Sequence, residues 1–422
     1  MIKNRHHSKY EDYIEFQKTK TSDPEKRSKW LGEEWNTKLE SFKEQISKIS
    51  QALGPDKKVL CIGARTGQEV EAFKQLGVVD VIGIDLVENL PLVREGDMNC
   101  LDFSDNTFDI VYTNSIEYSS NIENAISEME RVVKIDGHIF IQCRVENKDE
   151  FAEYKIENPI YDILPLTNKS FCIISQVVRP NPLGLNFEIV LRKDKNLSDL
   201  YEKHGNIKTI SVPDDYMTLW NEINLPIQNK KLDNANIISR KARKKILNQL
   251  SKRAYYLTKV ASAFSSNRFI EVGTAEGWQY FTFCKYVKDN FEDGFVYTCD
   301  PRDVRDKRYV NELKDDRFQY VQGTSEDIAS KGIVANFFYI DGLHDQGTVI
   351  RDVLNLESCQ DREELSTWVF DDFDLRFGCA QDIMTLSQLS KSFKVYHVGD
   401  TASGNPSHQV IVRGYFKGEQ SQ

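Results

Sequence analysis

The chain has 422 residues, 40% hydrophobic and 28% charged, with 55 basic against 65 acidic side chains and a net charge of −10. That length favours two or three domains, that apolar content excludes a wholly disordered chain, and the acidic balance argues against nucleic acid as a partner, because such binding rests on neutralising phosphates. No run of about 18 apolar residues is there to span a membrane, no apolar leader follows Met1, and eight cysteines without a CxxC pair make neither a disulfide scaffold nor a zinc site, so reduced thiols, a cytoplasmic location and no membrane partner are expected.

Residues 1–50 are polar with a helical pattern and are expected to form a helical cap on the domain or to lie over its site. A first domain, 51–195, opens with KKVLCIGARTGQEVEAFKQLGVVDVIGID: an apolar strand, a glycine turn, a helix and a second strand ending in an acid. LDFSDNTFDIVYTNS adds a turn and a buried strand, and NIENAISEMERVVK a helix with Ile122, Ile126, Met129 and Val133 on one face. A turn at 135–137 precedes the strand HIFIQCRV, and SFCIISQVV with NFEIVLRK reads as a closing antiparallel pair. Residues 196–238, with VPDD, NLPIQN and LDNAN, read as a linker with room for a short helix. The basic run 239–253 reads as the solvated face of a leading helix rather than a nucleic-acid patch.

A second domain, 239–417, repeats the plan about 210 residues later in NRFIEVGTAEGWQYFTFCKYVKDNFEDGFVYTCD. RFQYVQGTSEDI, the buried strand NFFYIDGLH, a helix from Thr348 to Leu356, the strand STWVFDDFD and the pair FKVYHVGD and HQVIVRGYF complete it. Each half is thus an α/β domain built on βαβ units and an open parallel sheet.

A glycine turn after a first strand lets the backbone adopt positive φ and approach a ligand. The helix behind it offers free N–H groups and a positive dipole end. An acid closing the next strand can accept both hydroxyls of a ribose. These parts are Gly63, Gly67 and Asp85 in the first domain and Gly273, Gly277 and Asp300 in the second. Neither turn is the GxGxxG of dinucleotide enzymes, which disfavours NAD-dependent oxidoreduction. The spacing G-x-x-x-G, preceded in the second domain by Glu271, resembles class I S-adenosylmethionine-dependent methyltransferases. ERVVKIDG resembles that family's E-x-x-R-V-L-K-P-G-G, with Ile135 and Asp136 replacing the proline and first glycine.

The resemblance covers about four fifths of the chain. It implies two Rossmann-like domains, each an open, mostly parallel seven-stranded sheet with helices on both faces, and one S-adenosylmethionine per domain. It implies cofactor contacts at Gly63, Arg65, Gly67, Asp85 and Asp97 in the first domain. In the second it implies them at Glu271, Gly273, Gly277, Asp300, Ser325, Glu326 and Asp341. In the first turn Cys61 stands where an acid is usual, and Arg65, where a glycine is common, is placed to meet the cofactor carboxylate.

Methyl transfer to an alcohol needs a base, a metal that acidifies the hydroxyl, or both. The fourth strand of the second domain ends in Asp341-Gly342-Leu343-His344 and the fifth in Asp371-Asp372. Neighbouring parallel strands deliver their carboxyl ends to one edge, so the three carboxylates can converge with His344 beside them, a donor set suited to Mg²⁺ or a similar divalent cation. D-G-x-H with an acidic pair resembles the metal-dependent sugar O-methyltransferases of macrolide tailoring. That likeness implies Asp341, Asp371 and Asp372 as metal ligands and His344 as base, with Asp371 where glutamate is common. Each position also has an ordinary structural account: a helix-start residue for His344, a cap for Asp371 or Asp372, with Asp374 able to substitute. His408, Trp278 and His138 read as structural, and Glu117 and Tyr118 are the polar acceptor-side candidates of the first domain.

The expected activity is S-adenosylmethionine-dependent O-methylation of a sugar or glycan hydroxyl, with both domains active. The alternative is an N-terminal pseudoenzyme domain for substrate binding or assembly beside one catalytic domain. A small-molecule or glycan acceptor is the expected partner, and a homo-oligomer is compatible with the sequence, which fixes no oligomeric state.

Overall fold

The computed structural model describes residues 2–4, 7, 9–145, 147–157, 159–178, 182–205, 210–220, 240–305, 307–361, 365–373, 377–389, 394–399 and 408–414. The chain divides into two compact units, Met1–Ser198 and Asp199–Gln422.

The first unit opens with β1 (Ile2–Lys3) and the helices α1 (Tyr10–Ser22), α2 (Pro24–Leu31) and α3 (Trp35–Ser47), the predicted cap. Asp23 ends α1 and starts α2 by accepting the amides of Glu25 and Lys26, donors that a helix start otherwise leaves bare. The sheet then follows as β2 (Lys58–Ile62), α4 (Gln68–Gln75), β3 (Asp80–Asp85), β4 (Val93–Glu95), β5 (Phe108–Thr113), α5 (Ile122–Val132) and β6 (Val133–Cys143). After the short β7 (Tyr154–Lys155), which pairs with β1, and α6 (Pro159–Asp162), the antiparallel β8 (Ser170–Val177) and β9 (Phe187–Lys193) close it.

The strand order is β4-β3-β2-β5-β6-β9-β8, seven strands with the first five parallel. The chain leaves β2 in one direction and returns to its other side as β5, so a crevice opens at the carboxyl end of β2. Helix α5 buries Ile122, Ala125, Ile126, Met129 and Val132, the 3–4 spacing of one face, and its Asn121 cap accepts the amide of Asn124. Phe42 and Ile46 of α3 pack with Val59, Phe73 and Tyr112 in one core. Burying each such side chain contributes about 1.5–3 kcal/mol. The turn expected at 135–137 lies inside β6: Asp136 takes φ +62° and the register shifts between Phe108 and Ile110, so the extra residues are absorbed as an irregularity within the strand.

Helix α7 (Lys195–His204) starts at the last residue assigned to the first domain and runs into the segment read as a linker; 206–209 and 221–239 lie outside the described residues. In the second unit come α8 (Arg240–Ala263), β10 (Arg268–Val272), α9 (Trp278–Asn290), β11 (Phe295–Asp300), α10 (Lys307–Glu312), β12 (Phe318–Gln322), α11 (Ser325–Ala329) and β13 (Phe337–Ile340). The unit ends with α12 (Thr348–Asn355), β14 (Ser366–Phe373), α13 (Cys379–Leu389), β15 (Lys394–Gly399) and β16 (His408–Gly414).

Its order, β12-β11-β10-β13-β14-β16-β15, repeats that of the first unit strand for strand, again with an antiparallel closing pair. Phe269, Phe283 and Phe337 cluster under β10, and Trp368 of β14 stacks on Phe338 at 3.9 Å between ring centroids. Each unit is therefore a class I methyltransferase-type Rossmann-like α/β fold. Among the described residues, no helix is long and apolar enough to cross a membrane.

Candidate functional site

The two glycine turns are copies of one backbone device. In the first, Gly63, Arg65 and Gly67 have φ of +70°, +49° and +93°; in the second, Gly273, Ala275 and Gly277 have +92°, +44° and +92°. A Cβ at Gly63 would lie 1.8 Å from Ser115 Oγ, and one at Gly273 only 1.9 Å from the Asp341 carbonyl oxygen. Both sites therefore exclude a side chain sterically as well as by φ. Gly67 and Gly277 then start α4 and α9, which point their free amides at the crevice.

The strand-end acids lock these turns. Asp85 Oδ2 accepts the Arg65 amide at 3.0 Å, and Asp300 Oδ2 accepts the Ala275 amide at 3.1 Å. Their other oxygens accept Val87 (3.3 Å) and Arg302 (2.9 Å) amides. A carboxylate accepts about four hydrogen bonds, so each keeps capacity for ribose hydroxyls. Burial raises the Asp85 pKa above the usual carboxylate value, a shift the Arg65 cation opposes. A cradle that a Cβ would fill, with an acid at its rim, fits the nucleoside and amino-acid ends of S-adenosylmethionine.

Glu271 lies under the second turn, 1% exposed, with its Oε2 accepting Thr298 Oγ1 at 2.6 Å. Burial pushes its pKa well above the usual value. Glu271 is paired across the sheet with Thr298, whereas in the first unit Cys61 is paired with Gly83. The acid and its hydroxyl partner are thus exchanged together for two groups that need no hydrogen bond.

In the first unit α1 closes over the crevice. A cavity is lined by Tyr13, Lys20, Gly63, Arg65, Asp85 and Asp97, among others. Tyr13 donates to the Tyr118 carbonyl at 3.1 Å and Gln17 to the Phe151 carbonyl at 2.8 Å, pinning the helix. Asp97 is engaged on both oxygens, one by the Tyr10 hydroxyl and the other by the Asn99 amide at 2.8 Å. The sequence named a cap but not these residues; Tyr10, Tyr13, Gln17 and Lys20 at 3–4 spacing were the available signal.

Across the Gly63 turn, Glu69 sits in the first turn of α4, 3% exposed. Burial pushes its carboxyl up to about 8 from 4.5. A folded-state pKa above the unfolded one means that its contribution to stability is full below about 4.5, falls as pH rises through the window and is gone above about 8. Glu69→Gln should therefore flatten the pH dependence of the first unit's stability between pH 5 and 8, an effect on the order of 2–4 kcal/mol. Amide hydrogen exchange of β2 and β3 in the full chain measures it. Parallel pH profiles for variant and wild type would remove the assignment.

In the second unit the strand ends bring Asp341, His344 and Asp372 together, with donor atoms all within 4.8 Å of one another. His344 Nε2 is 2.9 Å from Asp372 Oδ2 and 3.8 Å from Asp341 Oδ1. Its ring leans on Phe377, and its carbonyl accepts the Cys379 amide. The neighbouring carboxylates, Asp341 first and then Asp372, raise the His344 pKa, against burial. Burial and the adjacent Asp371 push Asp341 up to about 7.

Asp371 is placed differently from its expected role as a ligand. Its Oδ2 accepts Arg253 Nη2 at 2.9 Å and the Tyr339 hydroxyl at 2.5 Å, and its Oδ1 accepts the Asp372 amide at 2.9 Å. It is 6% exposed. Its charge is spent on a buried guanidinium, so it positions Asp372 rather than joining the cluster. Arg253 and Tyr339 were not foreseen from the sequence.

Ser325 is also corrected. It is buried, donating to Asp352 Oδ1 at 2.7 Å and accepting from Asn355 at 2.9 Å, which ties α11 to α12, while Glu326 beside it is exposed. Trp278 packs edge-on against Trp220. Asp374 lies outside the described residues, as does the side chain of His408.

Residues 60–141 match a family model described as a methyltransferase domain, and residues 270–373 match a second, distinct model of the same description. The fold and the two cradles thus define S-adenosylmethionine-dependent methyltransferase domains. The chain carries two of them in tandem. No curated protein matches the chain. Among solved structures, it is 16% identical to a Burkholderia thailandensis 1,6-didemethyltoxoflavin-N1-methyltransferase, covering 46% of this chain and 93% of that one with a TM-score of 0.36. A Haemonchus contortus phosphoethanolamine N-methyltransferase is 13% identical, over 96% and 97%, at 0.35. The YcgJ protein of Bacillus subtilis is 15% identical, over 37% and 99%, at 0.31. Likenesses this distant assign no substrate.

Proposed function

We propose that the second domain methylates a hydroxyl of a sugar or glycan with the help of a divalent cation, Mg²⁺ first. The gathering of Asp341, His344 and Asp372 beside the Gly273 turn carries the proposal. S-adenosylmethionine supplies a methyl group on a positively charged sulfur, and the cation supplies a Lewis acid that makes a bound hydroxyl more acidic. Asp341 and Asp372 offer hard carboxylate oxygens to hold that cation. The His344 imidazole takes the hydroxyl proton, and the carboxylates at 2.9 and 3.8 Å stabilise the imidazolium. The glycine turn orients the cofactor through backbone amides, at no cost in side-chain entropy.

The first domain, on the same proposal, methylates another position, and tandem fusion raises the effective concentration of the intermediate. The engagement of Asp97 by Tyr10 favours a second reading, an N-terminal domain that binds or assembles without reacting. Calorimetry of the full chain with S-adenosylhomocysteine separates the two: two equivalents support two working domains, one equivalent the pseudoenzyme.

The chemistry is tested by incubating the chain with S-adenosylmethionine, Mg²⁺ and a panel of free sugars, nucleotide sugars and glycans, and following methyl gain by mass spectrometry. Methylation that falls about 100-fold or more on chelation is the expected result. Sugar methylation indifferent to chelation would remove the metal, and transfer to nitrogen acceptors alone would remove the O-methyl assignment.

A further inference from the structure

The acceptor side of the first unit has a cationic wall that the functional proposal leaves unused. A second cavity shares Gly63, Arg65 and Tyr118 with the cofactor crevice and continues past Trp30, Lys38 and Arg144. Arg65 leaves the glycine turn with its guanidinium 4.5 Å from the centre of the Trp30 ring. Arg144, just beyond β6, donates Nη2 to the Leu183 carbonyl at 2.7 Å, which fixes its plane and leaves its other N–H groups for a ligand. Lys38 of α3 and Lys20 of α1 complete the group.

The charges do not balance from within. Lys38 has Glu34 at 2.6 Å and Lys20 has Asp149 at 2.5 Å. Among the described residues, neither Arg65 nor Arg144 has a carboxylate in salt-bridge range. The cations feel one another: burial first, then Arg65 and Arg144, lowers Lys20 to about 8, with Asp149 opposing, and burial with the same two arginines lowers Lys38. Of the other acids beside this wall, Asp85 is committed to the turn at the cofactor rim, and burial raises Glu69 to about 8 and Glu117 to about 7. Among the described residues, Glu117 Oε2 is buried with no hydrogen-bond partner. Bound S-adenosylmethionine would add its sulfonium and ammonium against a single carboxylate, making the crevice more positive still. Such a like-charge cluster beside an aromatic wall is poorly explained by folding and well explained by an anion.

We propose that the first domain takes an acceptor bearing an oxyanion, a phosphoryl or carboxylate group, with Arg144 and Lys38 as its charge contacts and Trp30 as its apolar wall. The proposal rests on the reading that the Gly63 crevice beside it holds the cofactor. Arg65, common to both cavities, is left to the cofactor carboxylate. The guanidinium fork suits bidentate oxyanion recognition, which a lysine does not reproduce.

The test uses the full chain at low ionic strength, with and without saturating S-adenosylhomocysteine. Inorganic pyrophosphate serves as the phosphoryl probe, succinate as the carboxylate probe and glycerol as the neutral comparator. At least one anion should bind, and Arg144→Gln and Lys38→Gln should each weaken it about tenfold or more, with Arg144→Lys intermediate and homocysteine-nucleoside affinity unchanged. Whichever anion binds more tightly names the source. Anion binding no better than glycerol, or unaltered by both Arg144→Gln and Lys38→Gln, would overturn the proposal. If the anion binds but Asp85→Asn leaves the stoichiometry of S-adenosylhomocysteine unchanged, it is the cofactor reading of this domain that fails instead.

Discussion

His344→Ala is expected to slow sugar methylation by the second domain about 100- to 10,000-fold, the range for losing a positioned general base. The imidazole is the one group in the cluster of Asp341, His344 and Asp372 able to take a proton and remain a cation beside two carboxylates. Truncation removes it without touching the cradle, whose Gly273, Ala275 and Gly277 act through the backbone. S-adenosylhomocysteine should therefore bind as in the wild type. Metal titration divides the roles further. Unchanged Mg²⁺ affinity with the rate lost marks a base, whereas a metal affinity lowered about tenfold or more makes His344 a ligand and shifts the preference toward softer ions. A rate within about threefold of wild type would remove His344 from the chemistry altogether.

Backbone-encoded features were the easiest to read in this chain. The two strand–turn–helix–strand segments announce themselves by alternating apolar runs and paired glycines, and each unit has the expected seven strands, mostly parallel. Asp341, His344 and Asp372 were also legible as a group, because adjacent parallel strands must end at the same edge. What escaped notice depended on partners far along the chain. Asp371 looked equivalent to Asp372 until Arg253, 118 residues earlier, was seen to claim it. Ser325 was read as facing the cofactor, yet its hydroxyl satisfies Asp352 and Asn355 instead. The cationic wall joins Lys20, Lys38, Arg65 and Arg144 from four separate segments, and no local pattern records that meeting. Even the turn at 135–137 followed this rule: Asp136 and Gly137 suggested a break, but β6 pairs with β5 on either side of it, at Val133 and again from His138.

The largest effect on stability is expected from Arg253→Met, which should destabilise the second unit by about 3–5 kcal/mol. Arg253 and Asp371 have side chains 12% and 3% exposed, so neither can turn to water if its partner is lost. The methionine keeps much of the stem packing, and what remains is a buried carboxylate that, among the described residues, has the Tyr339 hydroxyl and the Asp372 amide to stabilise it. Asp372 holds φ +50°, a conformation costly for a non-glycine residue, and its amide is anchored to Asp371 Oδ1. Loosening Asp371 should therefore also let Asp372 relax away from His344, so Mg²⁺ affinity should fall with stability. Urea unfolding of the full chain, with hydrogen exchange in β13 and β14, measures the first effect, and metal titration the second. Adding Asp371→Asn to Arg253→Met removes the stranded charge and should recover a large part of the stability but not of the metal affinity, because an amide no longer fixes Asp372 in the same way. If Arg253→Met alone costs less than about 0.5 kcal/mol, the ion pair does not position the cluster, and Asp371 becomes available again as a third ligand.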